Sequence, residues 1–295
     1  MRHATRDTHV TARREPAPEG REMVRVRARV LALVFAAMLL VMGCGQLAEL
    51  NVISTQEELE MGLRFSQEIE KEIKLISDPV VSAYVDSLGQ LLARNSERAD
   101  IPYVIKVVDT DEVNAFAIPG GYLYVNRGLI VTAARESELA GVMGHEIGHV
   151  VGRHSAKQMS RRLGLSAVTG LILGNDPKTW ASLTANVLSA GTLLHYGREA
   201  ELEADRYGIT EAYRSGIDPE GMVTFFEKLL DMEQREPGLF DKLFSTHPPT
   251  GERISAGRAL IASLPTKPSL ATDSPRFHAI QKRLPPIQKK VVSGS

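Results

Sequence analysis

His145-Glu146-Ile147-Gly148-His149, preceded by Leu139, Val142 and Met143, is the stretch on which the fold turns. The apolar residues recur at helical spacing, and two histidines four apart on a helix share one face, so both imidazoles can converge on one cation. Glu146 projects from the neighbouring side, close to a fourth coordination position, where it can take a proton from water. Gly148 inside such a helix costs ~1 kcal/mol relative to Ala and implies close backbone packing. The chain has a single cysteine. It can close no intramolecular disulfide and build no cysteine-rich metal site, so any metal must be held by His and carboxylates.

A third ligand decides the class. A metzincin places a histidine six residues after the second ligand, but that position is Ser155, and His154 misses it by one and reads as a helix-end histidine. Glu199-Ala200-Glu201-Leu202-Glu203-Ala204-Asp205 offers carboxylates instead. Glu201 and Asp205 share a helical face, so Glu201 could bind the metal while Asp205 orients a ligating histidine through its other ring nitrogen, with Glu203 pointing elsewhere. Taken alone, the cluster also reads as a solvated acidic face.

Outward from these motifs the chain is helix-rich. Ser54-Thr55-Gln56-Glu57 has the form of a capping box, and the helix after it is predicted to run to about Leu75. Asp78-Pro79 starts a second helix with Val81, Val85, Leu88 and Leu92 on one face. Tyr103 to Val108, then Ala115 to Ile118 and Tyr122 to Val125 around Pro119-Gly120-Gly121, read as strands. The expected class is α+β, mostly helical, with a small sheet beside the active-site helix. Leu163 to Leu173 and Leu183 to Leu194 are too short to cross a bilayer and read as core or cleft-covering helices. Residues 265–295, rich in Pro, Ser and Lys, read as an extended, partly disordered tail with no room for a tetratricopeptide array.

At the other end, Val30 to Gly43 carries no charge and follows Arg25, Arg27 and Arg29. A basic flank and a short apolar core make an export signal rather than a permanent span. Val41-Met42-Gly43-Cys44 resembles the lipobox of bacterial lipoproteins, in which the signal is cut before the cysteine and the cysteine carries lipid; Gly45 resembles the residue that directs outer-membrane sorting. Asp7, Glu15, Pro16, Pro18, Glu19 and Glu22 do not belong to such a signal, so translation is expected to start at Met23, with residues 1–22 untranslated or dispensable. The organisation expected is a signal region over 1–43, a lipidated linker over 44–53, a metallopeptidase domain over 54–264 and the tail. Lys+Arg 35 against Asp+Glu 36 gives no bulk attraction to nucleic acid, and none is expected as a partner.

The motifs form a larger pattern: Asn114-Ala115-Phe116-Ala117 with Pro119-Gly120-Gly121, the His145 to His149 stretch running into Arg153-His154-Ser155, Glu201-x-Glu203-Ala204-Asp205, and Ser245-Thr246-His247-Pro248-Pro249 with Glu252-Arg253. Over roughly residues 54–264 this resembles the zinc endopeptidases that include the CAAX prenyl protease, the heat-shock protease HtpX, mitochondrial Oma-type proteases and periplasmic lipoprotein relatives. The resemblance implies a zincin-like (gluzincin) fold and one Zn2+ held by His145, His149 and Glu201, with Glu146 as general base and acid and Asp205 behind a ligand. It also implies a cleft edge at Asn114, Ala115 and Phe116 where substrate adds as a strand. His247 and Arg253 would approach the oxyanion, or His247 would cap the zinc as a removable fourth ligand; without the other motifs they read as a loop turn and a surface arginine. The implied function is hydrolysis of misfolded or unassembled envelope proteins by a lipid-anchored enzyme at the periplasmic side of the outer membrane. Two other classes remain open: a zinc-bearing chaperone or assembly factor with latent proteolysis, and a zinc hydrolase of non-peptide substrates, which the strand-binding edge argues against. The multiple membrane spans of some family members are missing, which argues against processing inside a membrane chamber.

Overall fold

A computed structural model of the chain describes residues 53–161, 177–189, 195–233, 241–248 and 250–288. The chain divides into two units, Met1–Leu50 and Asn51–Ser295; the first lies wholly outside the described residues, and the architecture below is that of the second. The expectations for the signal region, the Met23 start and Cys44 therefore fall outside the described residues, as do residues 163–173 and 190–194 of the two apolar runs.

Helix α1 (Thr55–Glu72) starts at the expected capping box. Ser54 Oγ accepts from the Glu57 amide at 3.2 Å, and the Ser54 amide donates to Glu57 Oε2 at 2.7 Å, satisfying two donors at and just before the first turn. It stops short of Leu75, which forms a bridge with Val108 instead. Helix α2 (Pro79–Arg94) is capped by Asp78, whose carboxylate accepts from the Val80 amide at 2.8 Å.

Strands β1 (Val104–Val108), β2 (Ala115–Ile118) and β3 (Tyr122–Asn126) make a sheet in the order β1-β3-β2. β1 runs parallel to β3, with Val104 opposite Tyr122, and β2 runs antiparallel to it, with Ala115 opposite Val125. Successive side chains point to opposite faces. Ala115, Ala117, Leu123 and Val125 join a core containing Leu88 and Leu92 of α2, whereas Phe116, Ile118 and Tyr124 pack with Met61, Phe65 and Ile69 of α1. Both faces are thus covered by helices.

After α3 (Arg127–Thr132) comes α4 (Glu136–Val151), the helix of the His145 motif, buried along its whole length from Ser137 onward. A helical stretch at 154–161 follows, then helices α5 (Pro177–Ser189), α6 (Arg198–Arg214), α7 (Glu220–Glu233), α8 (Asp241–Thr246), α9 (Gly251–Ser263) and α10 (Pro275–Gln281). Gly148 has the close neighbour that its place in the sequence implied: a Cβ there would lie 2.5 Å from the Ala204 carbonyl oxygen. Only hydrogen at this position lets α4 and α6 touch where both carry their functional side chains. Among the described residues no helix is long and apolar enough to cross a membrane.

The expectation of an extended or partly disordered tail fails at Pro275–Gln281, which form α10, whereas 265–274 carry no helix. α10 is capped by Ser274 and buries Phe277 and Ile280 in the main core, and Arg127 Nη1 donates to the Pro285 carbonyl at 2.7 Å. Composition in this stretch is polar, but three apolar residues, Phe277, Ile280 and Leu284, sit at helical spacing and are enough to seal the base of the core.

Candidate active site

α4 supplies His145, Glu146 and His149, α6 supplies Glu201 and Asp205, and the turn following α8 supplies His247. All six are buried. His145 Nε2 lies 3.0 Å from His149 Nε2 and 3.2 Å from His247 Nδ1, while Glu201 Oε1 lies 3.0 Å from His247 Nδ1 and 3.4 Å from His149 Nε2. One ligand atom from each of the four residues falls within 4.8 Å of every other.

These separations suit a metal. Four donors about 2.1 Å from a common centre in a tetrahedron stand about 3.4 Å from one another. The tautomers suit it too. His145 Nδ1 sits 2.8 Å from Asp205 Oδ1, so its proton is held there and Nε2 offers a lone pair to the centre. A further sign is Glu146 Oε1, which is buried without a hydrogen-bond partner among the described residues and faces His247 Nε2 at 3.5 Å. Its companion, Oε2, accepts from the Ala117 amide of β2 at 3.1 Å. Glu146 is thereby fixed between the sheet edge and the donor cluster with one oxygen free for a proton.

Charge is arranged to match. Burial opposes ionisation of Glu201, but His247, His145 and His149 outweigh it and hold its carboxyl well below the usual range. Burial also opposes a proton on His145, yet Asp205 and Glu201 raise it to about 9, so the pocket draws positive charge to this ring. Burial pushes His149 well down and Glu146 up. A raised carboxyl is suited to carrying a proton in both directions.

Arg253 is close to the site, as expected, and its partners are polar groups of α6 and of the turn after α8. Nε and Nη2 each donate to Asp205 at 2.7 Å, Nη1 donates to the Pro248 carbonyl at 3.1 Å and pairs with Glu201 Oε2 at 2.8 Å, and the guanidinium lies over the Phe226 ring. Every nitrogen is engaged and the side chain is buried, so Arg253 clamps the two carboxylates of α6 in this structure. Asn114, Ala115 and Phe116 lie at the start of β2, whose strand partner among the described residues is β3 alone. Cys44 lies outside the described residues.

Sequence reasoning missed two neighbours of His149, His154 and Tyr196, and the Ser155 that holds Tyr196. His154 is buried with Nδ1 at 2.8 Å from His149 Nδ1, and its Nε2 meets Glu203 Oε2 at 3.3 Å, so Glu203 stays outside the donor cluster, as expected, and turns to His154. Tyr196 stacks on the His149 ring at 4.0 Å between centroids and bonds Ser155 Oγ through its hydroxyl at 2.8 Å. The Arg153-His154-Ser155 triplet was a usable signal for two of these; nothing in the sequence marks Tyr196.

A sheet covered by helices, a buried helix carrying two histidines and a glutamate, and a carboxylate from a second helix define a zincin-like metallopeptidase. The family model for peptidase family M48 matches residues 79–261. The chain belongs to that family. It is 31% identical over 244 residues to the beta-barrel assembly-enhancing protease of Escherichia coli (strain K12), covering 79% of this chain and 49% of that protein. It is 29% identical over 251 residues to metalloprotease LoiP of the same organism, covering 78% of this chain and 94% of LoiP, and 28% identical to the mitochondrial metalloendopeptidase OMA1 of Schizosaccharomyces pombe, covering 66% of this chain and 60% of that protein. The chain spans about half the length of the beta-barrel assembly-enhancing proteases it matches.

Proposed function

We propose that this chain is a zinc-dependent endopeptidase of the cell envelope that hydrolyses misfolded or unassembled envelope proteins. The observation that carries the chemistry is the free, buried Glu146 Oε1 beside the convergent donors of His145, His149, Glu201 and His247. His145, His149 and Glu201 would hold the zinc. Once bound, it supplies polarisation of the scissile carbonyl and a water of lowered pKa. Glu146 takes the water proton at Oε1 and returns it to the leaving amine, with no covalent intermediate. Asp205, held by Arg253, keeps the His145 proton on Nδ1. His247 stands as a fourth donor that must withdraw when substrate enters. Asn114, Ala115 and Phe116, buried in this structure, would offer the edge of β2 that is not paired with β3 to an extended peptide, next to the amide that already positions Glu146.

The envelope setting is supported by the relatives' names, which are those of proteases and, in one group, of a protease enhancing β-barrel assembly. They do not favour a chaperone lacking proteolysis. We place the chain on the periplasmic side of the envelope, anchored through lipid on Cys44, in line with the signal-like Val30 to Gly43 segment. The domain proposed is the metallopeptidase unit from residue 54, extended to residue 288 by the packing of α10. The test offers the zinc-loaded full chain an unfolded outer-membrane β-barrel protein and its folded, membrane-inserted form. Cleavage of the unfolded form alone, abolished by a chelator and restored by zinc, is expected; cleavage of neither form would overturn the proposal.

A further inference from the structure

We infer that His154 and Glu203 are positioning residues for the zinc ligand His149, fixing its tautomer through a one-way chain of hydrogen bonds. The inference rests on the proposed role of His149 as a ligand.

For His149 to offer the Nε2 lone pair to a cation, its proton must sit on Nδ1 and find an acceptor. The atom in reach is neither a carboxylate nor a carbonyl but another imidazole nitrogen, His154 Nδ1, at 2.8 Å. A neutral imidazole has one donor and one acceptor nitrogen. His154 can accept at Nδ1 only with its own proton on Nε2, and that atom meets Glu203 Oε2 at 3.3 Å, while Tyr207 holds the other Glu203 oxygen at 3.2 Å. The Glu203 carboxylate, which can only accept, thus sets the direction of the whole chain. Without it His154 could carry its proton on Nδ1, and His149 would have to accept there and present Nε2–H to the metal position. His145 is oriented by a carboxylate directly, His149 through a relay.

The backbone is built for this contact. Residues five apart do not share a face of an unbroken helix. α4 ends at Val151, and Arg153 takes φ 54°, a left-handed conformation that a long side chain seldom adopts, before helix resumes at 154–161. Arg153 is held in it by Nε donating to Glu58 Oε2 at 2.7 Å and Nη2 to the Ile53 carbonyl at 2.6 Å. The reversal brings His154 back beneath His149. Gly152 leaves the space: a Cβ there would fall 2.4 Å from His154 Nε2, although its φ of −69° suits any residue. Tyr196, stacked on His149, confines the ring further.

The test uses the full chain and measures zinc affinity by chelator competition and histidine tautomers by nitrogen-15 NMR of the zinc-loaded protein. Glu203→Leu, which removes the acceptor opposite His154 Nε2, and Gly152→Ala, which keeps both partners but displaces the ring, are each expected to weaken zinc binding by about 10- to 100-fold. In the wild type His149 should carry its proton on Nδ1 and His154 on Nε2. Unchanged affinity in both variants, or a proton on His154 Nδ1 in the loaded wild type, would overturn the inference. His149→Ala separates the two levels: if it leaves zinc affinity intact, the ligand assignment fails and the inference with it; if it abolishes binding while the other variants bind normally, only the relay fails.

Discussion

His247 Nδ1 lies 3.0 Å from Glu201 Oε1, inside the set of donors that His145 and His149 complete. It arrives from a different segment than the helices α4 and α6. In the proposed function it would occupy a coordination position that water or a substrate carbonyl needs, and substrate would have to displace it.

His247→Ala is therefore expected to raise hydrolysis of unfolded casein several-fold and to weaken zinc binding, both read on the purified full chain. A fall in turnover at unchanged zinc affinity would instead make His247 a donor to the transition state.

Arg253→Gln removes the partner of two buried carboxylates. Leaving such charges unpaired costs about 3–5 kcal/mol, so urea unfolding of the zinc-free chain should show a loss of that order. A loss under about 1 kcal/mol would mean that Asp205 and Glu201 do not depend on the clamp.

Glu211 on α6 is buried with both carboxyl oxygens lacking a hydrogen-bond partner among the described residues, and burial pushes it well above the usual range, with Arg214 pulling it down and Glu97 pushing it up. The folded state then keeps a proton that the unfolded state loses above about pH 4.3. Its contribution to stability is full below that pH and declines as pH rises toward the folded-state value. Glu211→Gln should be more stable than wild type at pH 8 and converge with it near pH 4; parallel stability profiles would contradict this.

Phe277→Ala should cost about 3–5 kcal/mol in the same unfolding assay, because its ring is fully buried beside Tyr84. A neutral substitution would restore the view of residues 265–288 as an appendage.

The legible parts were those encoded locally. The spacing of His145 and His149, the shared face of Glu201 and Asp205, the Ser54 cap and the two strands around Pro119-Gly120-Gly121 each follow from local sequence. The illegible parts depend on a break or on a meeting of distant segments. An arginine at positive φ has no sequence signature, so the turn that carries His154 to His149 could not be foreseen. The proximity of Arg253 followed from its motif, but a motif does not say which groups a guanidinium will choose, and here Asp205, Glu201 and the Pro248 carbonyl share it. α10 was hidden because apolar residues at helical spacing are diluted by prolines and lysines.

The most direct test is Glu146→Gln in the full chain, with bound zinc and casein hydrolysis measured together. The substitution keeps the shape between Ala117 and the donor cluster and removes the proton acceptor. One zinc per chain with hydrolysis reduced at least about 10²-fold is expected; full zinc occupancy with wild-type hydrolysis that a chelator does not stop would contradict the account.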